Sequence, residues 1–264
     1  MEMSPDQPPD PAPAEGDAGP AMPAQYVDDL QDSLSRLAKL ATGLLPLEDS
    51  LTRVAQYAVR AIPGAEGAGL TLLEENRSDT IVSTADFVAQ IDDIQYSLGQ
   101  GPCVSAVADR KIVLSGSLGG DRRWPQFGSR VARLGVHSVV SLPLSTDEGV
   151  VGAMNVYAHG KNAFTADAGR LGELFAVPAA IAVQNAQVLA QTKRLASQLQ
   201  VALSSRGVIE RAVGIMMSRS GGTEAEALDR LRTLSQHQHE KLPVVAQSIV
   251  QEAVRRARAR RTDR

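Results

Sequence analysis

A single cysteine, Cys103, in 264 residues excludes an intramolecular disulfide framework, and nothing beside it offers the second sulfur of a zinc or redox pair. The chain has no Gly-rich phosphate loop leading into a helix, no Gly-x-Ser-x-Gly elbow and no His-Glu-x-x-His helix, which argues against an enzyme. The four histidines are scattered. His237 and His239, two apart on a predicted helix, diverge instead of converging on a metal, so no metal site is expected. No stretch reaches the roughly 18 apolar residues of a membrane span. The N-terminus carries Glu2, Asp6 and Asp10 with no apolar core before Tyr26, unlike a secretory signal. Together these absences predict a soluble, cytoplasmic protein with no membrane partner.

What is present is ample apolar material and an uneven charge. A hydrophobic fraction of 43% supports an ordinary core, and the length suggests one to two domains. The net charge of -3 divides into about +5 for residues 201–264 and about -8 for the rest. Arg255, Arg256, Arg258, Arg260, Arg261 and Arg264 crowd the end, and such a terminus attracts phosphates at long range. For that tail alone, cations well placed for a helix dipole are an equal reading.

Residues 1–25 hold seven of the prolines among Ala, Gly and acids and are predicted to form a disordered tail. From Tyr26 the apolar residues Leu30, Leu34, Leu37, Ala41 and Leu44 step by four and three, the seam of an amphipathic or coiled-coil helix over 26–45 that wants a partner. After Pro46 a second helix carries Leu47, Leu51, Val54, Ala55, Ala58, Val59 and Ile62 on one face until Pro63-Gly64. Between 68 and 160 the runs 68–73, 80–84, 111–114, 138–143 and 150–157 are strand-length and bounded by turn residues, the last two reading as an antiparallel hairpin. Residues 101–108 and 127–134 read as short helices. The sum is an α+β sensor-like domain, an antiparallel sheet with flanking helices.

Thr165 is the predicted N-cap of a long helix, with Asp167 in its first turn. Leu174, Pro178, Ile181, Asn185, Val188, Thr192, Leu195, Leu199 and Ala202 then step by four and three without a break, a heptad seam over 174–202 with Pro178 as a kink. A parallel homodimer is the functional reading; packing of the seam on the domain's own sheet is the alternative. Three further helices follow, the first over 203–218. Gly221-Gly222 ends it, Thr223 and Glu226 form a capping box, and Pro243 opens the last helix. Val245, Ala246, Ile249, Val250 and Ala253 complete a small all-α core over 203–258, ahead of a basic tail at 259–264. Such a domain is marginal alone, so help from the seam is expected.

Two residues stand out as candidates for a sensor pocket or redox site. Cys103 begins a short helix, where the helix N-terminus lowers a thiol pKa, and equally reads as a small buried hydrophobe. Trp124, in the polar stretch Asp121-Arg122-Arg123-Trp124-Pro125, either lines a ligand cavity or covers the sheet edge.

Leu98-Gly99-Gln100-Gly101-Pro102-Cys103, Arg122-Arg123-Trp124-Pro125, Gly135-Val136-His137-Ser138 leading to Leu142-Pro143-Leu144, and Val151-Gly152-Ala153-Met154-Asn155-Val156-Tyr157 together resemble the GAF sensory domains of actinobacterial regulators, over about 45–190. The run Ala202-Leu203-Ser204-Ser205-Arg206-Gly207-Val208-Ile209-Glu210-Arg211-Ala212-Val213-Gly214-Ile215-Met216-Met217, with Ala227, Leu231, Ser235, Lys241-Leu242 and Val245-Ala246, resembles an ANTAR domain over about 197–258. The resemblance implies a three-helix module that holds paired RNA hairpins in nascent transcripts during transcription antitermination. It implies an RNA-binding set of Arg206, Arg211, Ala212, Val213, Gly214, Arg219 and Lys241; the dimer seam of Leu174, Ile181, Asn185, Val188, Leu195 and Leu199 comes from the heptad spacing. This chain departs from the family at Val213, usually Lys, and His239, usually Asn, each read as a lost polar contact. Gly214 is read as a point of close backbone approach, to RNA or to the next helix. The set associated with cyclic-nucleotide binding in GAF domains is missing, so the effector and any cofactor stay unknown, and haem stays open. A protein-interaction module and a helix-turn-helix DNA-binding regulator are the competing readings.

Overall fold

The computed structural model describes residues 22–41, 45–74 and 77–262. Most of the predicted Pro-rich tail, Leu44 of the first seam and Arg264 lie outside the described residues. The chain divides into two compact units, Met1–Gln187 and Val188–Arg264.

In the first unit, α1 (Ala24–Ala41) starts two residues before the predicted boundary. Pro23 sits just ahead of it, where a missing N–H costs nothing, and its carbonyl accepts from the Tyr26 amide. Leu30 and Leu37 of the first seam are buried, packed into one core with α2 (Leu47–Ala61). The partner this helix needs is therefore supplied by its own chain.

Five strands, β1 (Gly67–Glu74), β2 (Arg77–Ser83), β3 (Val113–Ser115), β4 (Ser138–Thr146) and β5 (Gly149–Ala158), form one sheet in the order β2-β1-β5-β4-β3. Every pairing is antiparallel. Side chains alternate across it, as strand geometry requires. Leu70, Leu72, Val140, Leu142, Met154 and Val156 face α2 and the first part of α6 (Ala166–Ser220), where Leu171, Phe175, Ala179 and Val183 are buried. Val139 and Tyr157 face the other way, onto Val88, Ile91, Ala106, Trp124, Phe127 and Val131. Each fully buried Leu or Phe contributes about 2–3 kcal/mol, so two apolar layers hold the sheet between helices. The fold is α+β, of the GAF type.

The second face is built by α3 (Asp86–Leu98), α4 (Pro102–Asp109) and α5 (Pro125–Val131), the last continued by a 3-10 turn over Ala132–Leu134. No helix is predicted from the sequence over α3, because Asp92 and Gln95 interrupt its apolar periodicity. Both are fully buried and belong to the site described below.

The second unit contains the end of α6 with α7 (Glu224–Gln238) and α8 (Leu242–Thr262). The predicted break before 203 does not occur: α6 runs unbroken for 55 residues, and its last part is the first helix of the three-helix domain. Neither Pro178 nor Gly207 stops it, since neighbouring turns carry strong helix formers. Ala212, Val213, Ala227, Leu231, Val245 and Ala246 form the core, while Leu203 is exposed. The Thr223–Glu226 capping box is present in both directions, with bonds of 2.9 and 3.3 Å. α6 is also long and apolar enough by composition to cross a membrane. In its first part Leu171, Phe175 and Val183 pack against the sheet, and 33% of its most apolar stretch is buried.

Candidate sensor cavity and nucleic-acid interface

In the first unit a cavity of ≈ 450 Å³ opens between β1, α3 and α4, lined by Thr71, Leu73, Tyr96, Cys103, Val107 and Ala153 among others. Among the described residues, no charged side chain lines it. Its polar end is the Tyr96 hydroxyl, which donates to Thr71 Oγ1 at 2.6 Å and lies 3.3 Å from Cys103 Sγ. Burial pushes the Tyr96 phenol up, keeping it neutral and able to donate.

Buried Asp92 sits nearby with Asn155 and Tyr157. Asp92 Oδ1 accepts from the Tyr157 hydroxyl at 2.7 Å and from Asn155 Nδ2 at 3.1 Å, while Ser141 Oγ donates to Asn155 Oδ1 at 2.7 Å. A fully buried carboxylate survives only with such partners. It also needs room: a Cβ at Gly69 would collide with the Asp92 carboxyl. Burial first and the Asp92 charge second hold the Tyr157 phenol well above its ordinary range. This polar network went unrecognised in the sequence, whose only signal for it was the pair of polar residues spoiling the α3 periodicity.

Cys103 does stand in the first turn of α4, its amide donating to Gln95 Oε1 at 2.9 Å. The helix N-terminus does not lower its pKa. Burial dominates, aided by the Asp92 charge, and pushes the thiol up to about 11, opposite in direction to the lowering expected of a helix N-terminus. Thiol labelling at pH 8 should be on the order of 100-fold slower in the folded protein than in urea, from thiolate fraction alone. Equal rates would mean that the sulfur is reachable. Trp124 is absent from the cavity lining. It packs in the second core layer, donates from Nε1 to Ser105 Oγ at 2.9 Å, and carries the Arg123 guanidinium 4.3 Å over its ring, a cation–π contact. Arg123 in turn binds Asp121 at 2.7 Å, and this hydrogen bond is the main reason the Asp121 carboxyl falls to about 2.

In the second unit the expected RNA-binding residues separate. Ala212 and Val213 are 0% and 6% exposed and belong to the core; the little that Val213 exposes lines a groove between α6 and α7. Where the family carries a reaching ammonium, this chain has core packing. Arg206 is exposed but bound to Glu210 at 2.8 Å, and with Glu210 and Glu224 it borders a groove between α6 and α7. Arg211 and Arg219 border a different groove, between α6 and α8. Gly214 lies on the ridge shared by both grooves. A Cβ there would meet nothing within 4 Å, so no neighbouring helix requires a glycine that costs about 1 kcal/mol against Ala. Lys241 is exposed in the α7–α8 connection. His239 is the C-cap of α7, in the left-handed region at φ 52, a conformation that Asn and His both adopt more readily than most residues. Its exchange for the family Asn is a capping substitution.

The second seam is left open. Leu174 and Ile181 in the first unit are 57% and 49% exposed, and Val188, Leu195 and Leu199 in the second are 56%, 57% and 57% exposed; Asn185 is exposed too. The face of α6 that covers the sheet is the opposite one, through Leu171, Phe175 and Val183. Packing of the seam on its own sheet is thus overturned. Among the described residues, no group of three or more His, Cys, Asp or Glu could hold a metal ion.

A sensory α+β domain with an apolar cavity, followed by a small helical domain, defines a regulatory protein of the sensor-and-output class. The chain belongs to the GAF domain family, whose model matches residues 45–184, and carries an ANTAR domain at 197–250. A search of curated proteins finds no match. Among solved structures, the GAF domain of an Acinetobacter phosphoenolpyruvate-protein phosphotransferase is 15% identical, covering 61% of this chain and 97% of that one with a TM-score of 0.47. Free methionine-R-sulfoxide reductase from Neisseria meningitidis is 16% identical, covering 66% and 96% with a TM-score of 0.46. A GAF domain/HD domain protein from Geobacter sulfurreducens is 12% identical, covering 55% and 97% with a TM-score of 0.45.

Proposed function

We propose that this protein is a non-enzymatic, signal-responsive RNA-binding regulator, a cytoplasmic transcription antiterminator that works as a homodimer. The ANTAR match at 197–250 carries this reading. The net charge of about +5 over residues 201–264 supports it, because phosphate contacts supply most of the affinity for nucleic acid. The exposed seam of α6 supports the dimer: five large apolar side chains at heptad spacing are a costly surface for a protein that stays alone. A small effector enters the GAF cavity. Its apolar lining favours an uncharged molecule that donates one hydrogen bond to the Tyr96 oxygen, whose own proton goes to Thr71. Its arrival shifts the pairing of the two α6 helices through Asn185, a polar point of the seam, and so pairs or separates two RNA-reading faces. Such a switch needs only a few kcal/mol between its states.

Binding of the full chain to RNA hairpins and to matched DNA duplexes, at two salt concentrations, tests the reading. Saturable hairpin binding that weakens steeply with salt is the expected result. Equal affinity for duplex DNA would favour a helix-turn-helix regulator, and no nucleic-acid binding by the folded protein would favour a protein-interaction module.

A further inference from the structure

We propose that the groove between α1 and α2 binds a small phosphate monoester, its dianion held by Arg36 and Arg53 and its organic part laid against Leu40 and Leu45. The site is independent of the RNA-binding reading. It is also separate from the GAF cavity, because α2 covers the sheet face opposite to α3 and α4. Charge placement points to it. Residues 1–76 hold thirteen acids and only four cations, Arg36, Lys39, Arg53 and Arg60. Arg36 and Lys39 of α1 and Arg53 of α2 line one groove of ≈ 320 Å³, and Arg60 reaches its Asp32 at 3.3 Å. All the side-chain positive charge of this acidic stretch therefore meets at one place, where Asp32 is the single acid of the lining among the described residues.

Spacing explains the convergence: Asp32, Arg36 and Lys39 recur at four and three on α1, as do Arg53, Tyr57 and Arg60 on α2, so each set shares a helix face. Salt bridging does not use these groups up. Asp32 accepts from Arg36 Nε at 2.8 Å and meets Arg60 at 3.3 Å, and the Arg36 hydrogen bond holds its carboxyl below the usual range. The two terminal nitrogens of Arg36 make no bond among the described residues. Arg53 makes no ion pair there, not even with Asp49 one turn before it, and the Tyr57 hydroxyl in the same lining makes no hydrogen bond. Two guanidinium groups and a phenol are thus left to donate into one concavity, and planar guanidinium donors match the oxygens of phosphate. Four cations against one acid leave an excess of three, which a dianion meets better than a carboxylate does; a phosphate monoester carries about -1.5 to -2 at pH 7. Half-buried Leu40 and Leu45 give the groove an apolar wall. Its volume lies at the small end of ligand pockets, roughly 300–1,000 Å³, which suits a small ester.

Isothermal titration of the full chain at fixed ionic strength tests the site with phenyl phosphate as the probe. Phenyl sulfate, a monoanion of the same shape, and inorganic phosphate, which has no organic part, are the comparisons. Phenyl phosphate should bind at least tenfold more tightly than either. Arg53→Ala, which removes an exposed side chain that holds no acid, should weaken it at least tenfold, as should Arg36→Ala. Tyr57→Phe should weaken it about threefold, the loss of one hydrogen bond. Arg133→Ala, at an exposed cation of the same unit outside the groove, should stay within twofold of wild type. Circular dichroism and melting of each variant separate lost binding from lost folding. Phenyl sulfate held as tightly as phenyl phosphate would overturn the dianion, and inorganic phosphate held as tightly would overturn the ester. No heat of binding from the folded protein, or binding that Arg36→Ala and Arg53→Ala leave intact, would overturn the groove. RNA-hairpin affinity should be equal in Arg53→Ala and wild type; a parallel loss would make the groove part of a nucleic-acid interface and overturn a separate small-molecule site.

Discussion

Replacing Leu195 and Leu199 together with Glu should turn the protein into a monomer and cost it at least tenfold in hairpin affinity. Both side chains are 57% exposed, so the change removes no contact within the chain, and helical content and melting of the GAF domain should hold. In a paired seam each leucine would fill a hole between four residues of the facing helix. Four acids brought together there would repel and lose water without compensation. Sedimentation equilibrium reads the mass directly. A mass that is already that of one chain in the wild type, or a dimer that survives both substitutions, would sink the seam. Asn185→Leu should move the equilibrium the other way, tightening the dimer and blunting its response to a signal. RNA affinity that still followed the signal unchanged in that variant would remove Asn185 from the switch.

The second large effect belongs to the polar network of the first unit. Asp92→Ala should destabilise the GAF domain by about 3 kcal/mol or more, because it leaves the Tyr157 hydroxyl and Asn155 Nδ2 buried without their acceptor. For a domain of this size that is a fall of about 6–12 °C in melting temperature. Asp92→Asn keeps one accepting oxygen and should lose less. Gly69→Ala should resemble Asp92→Ala, since the added methyl enters the space of the same carboxyl. Melting followed by circular dichroism distinguishes these, and an Asp92→Ala protein as stable as wild type would mean that water reaches the two orphaned groups. Effector binding should weaken with the loss of this network, because Tyr96 at the end of the cavity lies one turn after Asp92 on α3 and Cys103 is held to the same helix through Gln95.

Some elements were legible because local chemistry decides them. The Thr223–Glu226 capping box and the β4–β5 hairpin depend on residues within a few positions of each other, and both stand where the sequence puts them. That Leu174, Ile181, Val188, Leu195 and Leu199 share a helix was legible for the same reason, since spacing alone decides which side chains share a helix face. Helix α3 was not. Its buried face carries Asp92 and Gln95, which only partners 63 and 65 residues away, Asn155 and Tyr157, make tolerable for Asp92. A periodicity count treats such residues as solvent-facing.

Composition, spacing and motif were enough to determine an α+β sensor domain, a long amphipathic helix and a basic helical domain, because patterning and turn chemistry act over one or two turns of chain. Only the tertiary structure decided how those surfaces are used. It buried Ala212 and Val213, raised the Cys103 thiol by taking it out of water, removed Trp124 from the cavity, and left Arg211, Gly214 and Arg219 facing an open groove. Burial and the company of a side chain depend on contacts distant in sequence, and those contacts separate a charge that is spent inside the fold from one available to a partner.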